Sequence, residues 1–211
     1  MKITLTLIIA ALGLAACSGV ATDFERPELL ALVPEDMRAD IIAADRHVLV
    51  VRHAIKVSPD CNDMDCPLSP RGDAMVERLA DLIGAPVDRA FSSAACRTSL
   101  TAAAGGIDVI PHQAIDGYAV GCLEGETVSR LRSDAFAEVE AAASGWTLVG
   151  EHSNTSCLWI SAHAGEAAAG RAGCDADGRL SEDAYGDIFW LHGSADGWSL
   201  TVLPGAFLVD G

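Results

Sequence analysis

Aromatic side chains are scarce in this chain, with five Phe, four Trp and two Tyr against 20 Gly in 211 residues. A core made from such material is built of small aliphatic groups, which suits close packing of helices on a sheet. Basic residues are few as well: 14 Lys and Arg stand against 30 Asp and Glu, a formal net charge of −16. With no cationic excess to displace counterions, nucleic acid is excluded as a partner. An anionic ligand has to be held by a local cluster of guanidinium groups, against an unfavourable mean field. Long tracts of like charge, internal repeats and low-complexity linkers are all missing. Since 50% of the residues are apolar, one domain around one substantial core is expected. No Cys-x-x-Cys occurs, and Cys61-Asn-Asp-Met-Asp-Cys66 is spaced wrongly for a zinc knuckle, so neither a metal nor another cofactor is expected.

What is present begins at the first residue. Met1-Lys2 is a minimal positive region, and Ile3 to Leu14 is apolar apart from Thr4, Thr6 and Gly13. That run is too short for a bilayer-spanning helix, which takes about 20 apolar residues. Leu14-Ala15-Ala16-Cys17 resembles the lipobox of bacterial lipoprotein signals, which implies cleavage before Cys17 and lipid on it. Ser18 resembles the outer-membrane sorting pattern. Residues 1–17 are thus expected to be a signal peptide with a lipidated Cys, giving an exported, periplasmic protein that meets the membrane only through that lipid. An ordinary signal peptide cut nearby is the alternative. Setting Cys17 aside leaves six of the seven cysteines, an even set that in an oxidising compartment suggests three disulfides. The sequence does not choose among the pairings; the expected set is Cys61–Cys66, Cys96–Cys122 and Cys157–Cys174.

Residues 18–45 read as a tether and a leader helix that starts near Pro34, and 46–211 as the domain proper. Short apolar strands are expected at His47 to Val51, Asp88 to Phe91, Ile107 to Ile110, Trp146 to Gly150, Ile188 to Leu191 and Ser199 to Leu203. Between them, Ser69-Pro70 opens a helix to about Ile83, with Met75, Leu79 and Leu82 at helical spacing and Gly84 beyond. A second helix is expected from about Glu126 to Ala143, and a third from Ser153 or Asn154. Alternating strands and helices imply an α/β three-layer sandwich, a mostly parallel central sheet with helices on both faces.

Four segments carry the chemistry. Val48-Leu49-Val50-Val51-Arg52-His53-Ala54-Ile55-Lys56 is a hydrophobic strand ending on an imidazole beside a guanidinium, and ligands of open α/β sheets sit beyond such strand ends. Leu68-Ser69-Pro70-Arg71-Gly72 starts a helix. Phe91-Ser92-Ser93-Ala94-Ala95-Cys96-Arg97-Thr98-Ser99-Leu100-Thr101-Ala102 sets an arginine at a strand-to-helix junction, and Leu148-Val149-Gly150-Glu151-His152-Ser153-Asn154-Thr155 supplies a second histidine. In this order the segments resemble the histidine phosphatase superfamily, the group that also contains phosphoglycerate mutases, from roughly Arg46 to Gly205.

The resemblance implies a phosphoglycerate mutase-like fold and a phosphomonoesterase whose nucleophile is His53. A neutral imidazole, with an ordinary pKa near 6.5, can form a phosphoenzyme that water later opens. Arg52 and Arg97 would clamp the phosphate, since a guanidinium offers a planar fork and stays charged. Lys56 and Asn154 would add contacts to the substrate. His152 would face His53 across the phosphate; His163 is the competitor, while His47, His112 and His192 read as structural or surface residues. For the proton donor to the leaving group Asp116 is the first choice, with Glu124 and Glu126 comparable. Without such a carboxylate, phosphohistidine or another good leaving group becomes the expected substrate. Glu151 stands where the family has a small residue, and a carboxylate beside the phosphate would raise the pKa of His152 or repel substrate. This departure, with Ile55 and the cysteine-rich loop after His53, leaves one alternative, a non-catalytic lipoprotein using the fold as a binding module. The partner is a small phosphorylated substrate or phosphate, of identity not given by the sequence.

Overall fold

Alternation along one strand explains the layering. In the computed structural model, which describes residues 24–210, β1 (Arg46–Arg52) sends Leu49 and Val51 into one apolar cluster and Val48 and Val50 into another on the opposite face. Both faces are buried, as the uninterrupted β-branched run requires. α1 (Pro27–Ala31), α2 (Arg38–Ile42) and α3 (Pro70–Ile83) contribute to the first cluster. The second is closed by α5 (Arg132–Ala141), α6 (Ser153–Ala164) and α7 (Glu166–Arg171). Two further strands, β2 (Arg89–Ser93) and β3 (Ile110–His112), flank α4 (Cys96–Ala102), and β4 (Gly145–Glu151), β5 (Ile188–Ser194) and β6 (Gly197–Leu203) complete the sheet.

The strand order is β3-β2-β4-β1-β5-β6. β3, β2, β4 and β1 run parallel, while β5 is antiparallel to both of its neighbours, which makes the sheet mixed. This is the α/β sandwich expected from the sequence, with helices around a six-stranded sheet. α3 starts as its sequence dictates: Ser69 Oγ accepts from the Gly72 N–H at 3.0 Å, and Pro70 takes the first helical position. Its fully buried Met75, Leu79, Leu82 and Ile83 each contribute about 1.5–3 kcal/mol by leaving water. Gly150 has the opposite function, close approach. A Cβ there would run into the Thr98 carbonyl and stand 3.1 Å from the Ala102 Cβ, so glycine is what allows α4 to lie against β4.

Several boundaries differ from expectation. The third strand begins at Ile110, not Ile107, because Pro111 and His112 pair with the end of β2. The helix expected from Glu126 begins only at Arg132, since residues 113–131 form an irregular loop in which the Val128 N–H bonds the Tyr118 carbonyl at 2.7 Å. The expected leader is two short helices with a 3₁₀ turn at Glu35–Met37 between them, and Leu29, Leu30, Val33 and Ile41 lie in the core. Residues 27–42 are thus packed structure and not a tether. The signal segment and Cys17 lie outside the described residues. Cys61–Cys66, Cys96–Cys122 and Cys157–Cys174 are bonded as expected, with Cα separations of 5.8, 5.2 and 6.0 Å.

Candidate active site

β2, β4 and β1 are adjacent and parallel, so their carboxyl ends open on the same edge of the sheet. Arg52 stands opposite Glu151 in the ladder, and His53 and His152 follow immediately on their two strands. The rings of His53 and His152 are 5.3 Å apart, edge to face, close enough to touch one tetrahedral anion. A cavity of about 310 Å³ is lined by Arg52, His53, Lys56, Arg97, His152 and Asn154, together with Asn62 and Ser153. Seven of the proposed site residues were Arg52, His53, Lys56, Arg97, Asp116, His152 and Asn154; the fold brings all of them together except Asp116. That residue is exposed in the loop after β3 and does not line the cavity, and neither do Glu124 and Glu126. Among the described residues no carboxylate does. A larger cavity, of about 1100 Å³, opens at the opposite end of the sheet beside Phe24 and Trp146, far from this constellation.

His53 is buried, at 4% exposure. Its Nδ1 lies 2.8 Å from the Ala54 carbonyl, which can only accept, so the proton sits on Nδ1 and the lone pair on Nε2. Burial, the largest influence, pushes its pKa down to about 3; the Ala54 bond opposes this, and His152, Arg97 and Arg52 lower it further. His152 is pushed down to about 4, first by burial and then by Arg97, with Glu151 pulling the other way. Both imidazoles are therefore neutral at neutral pH.

The two guanidinium groups are anchored from behind. Arg52 Nη1 donates to the carbonyls of Ser181 and Glu182 at 3.2 and 2.9 Å, and its Cζ lies 3.8 Å from the centre of the Tyr185 ring. Arg97 Nη1 donates to the Asp63 carbonyl at 2.9 Å. Among the described residues, Nε of each is buried without a protein hydrogen-bond partner. Lys56 Nζ donates to Asn62 Oδ1 at 2.7 Å, and its pKa is lowered by burial and by Arg97 and Arg52. α6 begins at Ser153, so its positive end faces the same space.

A model of the histidine phosphatase superfamily, branch 1, matches residues 48–158, which span all four segments. The chain belongs to the histidine phosphatase superfamily. Among solved structures it is similar to a mycobacterial glucosyl-3-phosphoglycerate phosphatase in complex with inorganic phosphate, at 15% identity and TM-score 0.52, over 78% of this chain and 100% of that one. It is also similar to a candidate alpha-ribazole-5'-P phosphatase from Escherichia coli, at 15% identity and TM-score 0.51, over 79% and 100%. A candidate phosphohistidine phosphatase, SixA, from Agrobacterium tumefaciens shares 25% identity over 75% and 97%, with TM-score 0.48. The first two likenesses concern the fold. No curated protein matches the sequence significantly.

Within this family fold, Glu151 corrects one expectation. Its side chain does not line the cavity but is wholly buried behind it. His163 lies on α6 with Nδ1 3.4 Å from Glu140, outside the cavity, which leaves His152 as the second histidine. His47, His112 and His192 are buried rather than on the surface. Sequence reasoning missed Asn62, Tyr185 and the backbone anchors of the arginines. Asn62 carried a signal, since it lies inside the short loop closed by Cys61 and Cys66; carbonyl anchors leave no trace in side-chain identity.

Proposed function

We propose that the protein is an exported phosphomonoesterase acting through a phosphohistidine on His53, independent of metal and held to a membrane, in the outer-membrane pattern, by lipid on Cys17. The observation that carries the catalytic part is the convergence of His53, His152, Arg52 and Arg97 on one cavity. The location rests on residues 1–17 and on the cysteine pairing.

In the first step the Nε2 lone pair of His53 attacks phosphorus, and the bond to the leaving atom breaks with its electron pair going to that atom. Water then forms a P–O bond, losing a proton to solvent, as the P–N bond breaks, returning the pair to Nε2 and releasing phosphate. The transition state spreads charge over the peripheral oxygens, where positioned donors matter most. Arg52 and Arg97 supply fixed positive charge, and His152 donates a ring N–H as a neutral imidazole.

Since no carboxylate among the described residues lines the cavity, we take the leaving group to depart without strong acid help. A phosphoramidate fits: the free ring nitrogen of a phosphohistidine takes a proton from solvent, and the group leaves as neutral imidazole. The test is turnover of p-nitrophenyl phosphate, phosphoramidate and an alkyl phosphate in EDTA, beside His53→Ala. Activity on the first two that persists in EDTA and disappears in the variant is expected. No turnover by a folded wild-type protein would leave the fold as a binding module.

A further inference from the structure

Glu151 departs from the small residue that the family pattern has at this position, and no step above uses its side chain. We propose that Glu151 is a positioning residue for His152, acting through the hydroxyl of Thr155; this rests on the phosphoryl-transfer reading of the same site.

The carboxylate is buried where the ends of three strands meet the start of α6. Oε2 accepts from Ser93 at the end of β2 and from Thr155 Oγ1 at 2.5 Å, and Oε1 accepts from Trp159 Nε1 at 2.8 Å. His112 Nε2, at the end of β3, lies 3.1 Å from Oε1 without the alignment of a regular hydrogen bond. Burial alone would push the Glu151 pKa up, but His112 and the Ser93 and Thr155 hydroxyls hold it at about 2, so it stays ionised.

Thr155 has one hydroxyl proton. Because that proton goes to Glu151, a lone pair on Oγ1 is turned toward the backbone N–H of His152, which it accepts at 3.0 Å. The N–H of His152 is one that a helix start leaves without an intrahelical partner. The backbone carbonyl of Glu151 meanwhile accepts the N–H of His53 at 2.7 Å. One residue thus fixes the main chain beneath both imidazoles, by its carbonyl on one side and its carboxylate on the other. A carboxylate accepts from all of these neighbours as they stand, so the Thr155 proton is directed to it. Glutamine could keep its oxygen on the Trp159 N–H, but its NH₂ would then face the Ser93 and Thr155 hydroxyls and donate to them, reversing the bond that orients Thr155 Oγ1.

The experiment compares Glu151→Gln, Thr155→Val and Thr155→Ser with wild type by kcat and KM on p-nitrophenyl phosphate and by the affinities for phosphate and vanadate. Misplacement of a transition-state donor predicts that Glu151→Gln and Thr155→Val lose about 10- to 100-fold in kcat, with KM nearly unchanged. Vanadate affinity falls in step while phosphate affinity holds, and Thr155→Ser, which keeps the hydroxyl, stays close to wild type. The inference is overturned if folded Glu151→Gln keeps its kcat and vanadate affinity, or if KM and phosphate binding fail as badly as kcat, which is general collapse of the cavity. Should Glu151→Gln not fold, the Thr155 pair decides, and equal kcat for Val and Ser overturns it. A wild type that turns over nothing and prefers vanadate no more than phosphate refutes the phosphoryl-transfer reading as well; an active wild type with indifferent variants refutes only this one.

Discussion

His53→Gln should abolish turnover and at the same time make the protein more resistant to acid. The ring is buried and neutral in the folded state, with a pKa of about 3, whereas in the unfolded chain it returns to its ordinary 6.5. At pH 5 the unfolded ring has bound a proton that the folded ring has not. Stability contributed by this group is therefore intact above pH 6.5 and is lost progressively as pH falls toward about 3. Between pH 7 and pH 5 the loss is set almost wholly by the unfolded value and comes to about 2 kcal/mol. Glutamine does not titrate, and its amide can still donate to the Ala54 carbonyl. Urea unfolding followed by tryptophan fluorescence, in phosphate-free buffer at both pH values, should show the wild type losing about 2 kcal/mol more than the variant. Contributions that do not involve His53 are common to both proteins and cancel in the difference. Equal losses would mean that His53 is not held neutral, and the account of its nucleophilicity would go with it.

Replacing Arg97 by Lys keeps a charge but removes the fork and Nε, so kcat on p-nitrophenyl phosphate should fall about 100-fold; an unchanged kcat would remove Arg97 from the phosphate site. The double variant Cys157→Ala, Cys174→Ala opens a bond spanning 17 residues. It should cost about 3 kcal/mol in urea unfolding while activity persists, because the bond lies away from the cavity. Cys17→Ala should shift the protein from the membrane to the soluble fraction of a bacterial host and stop incorporation of a labelled fatty acid, and continued labelling would refute lipidation there.

The strand His47 to Val51 and the helix from Ser69 were legible because burial on both faces and N-capping write themselves into local sequence. His53, His152, Arg52 and Arg97 were legible through motif order, which parallel pairing of neighbouring strands turns into convergence. Asp116 was not, since an acidic residue in an irregular loop carries no mark of where its side chain will lie. Glu151 was placed correctly on the chain but misjudged, because strand alternation decides which side of the sheet a carboxylate enters and the Ser93 and His112 that help to receive it come from distant segments. The loop 113–131 was read as partly helical since Val128 and Leu131 mimic helical spacing, whereas its backbone bonds run across the loop.

Arg97 is held by the Asp63 carbonyl, inside the turn closed by Cys61 and Cys66, and its neighbour Cys96 is joined to Cys122. Dithiothreitol, a routine ingredient of enzyme buffers, would slacken both fasteners of this guanidinium at once. A preparation kept in thiols could look inert for reasons unrelated to its chemistry, so the first assays belong in thiol-free solution.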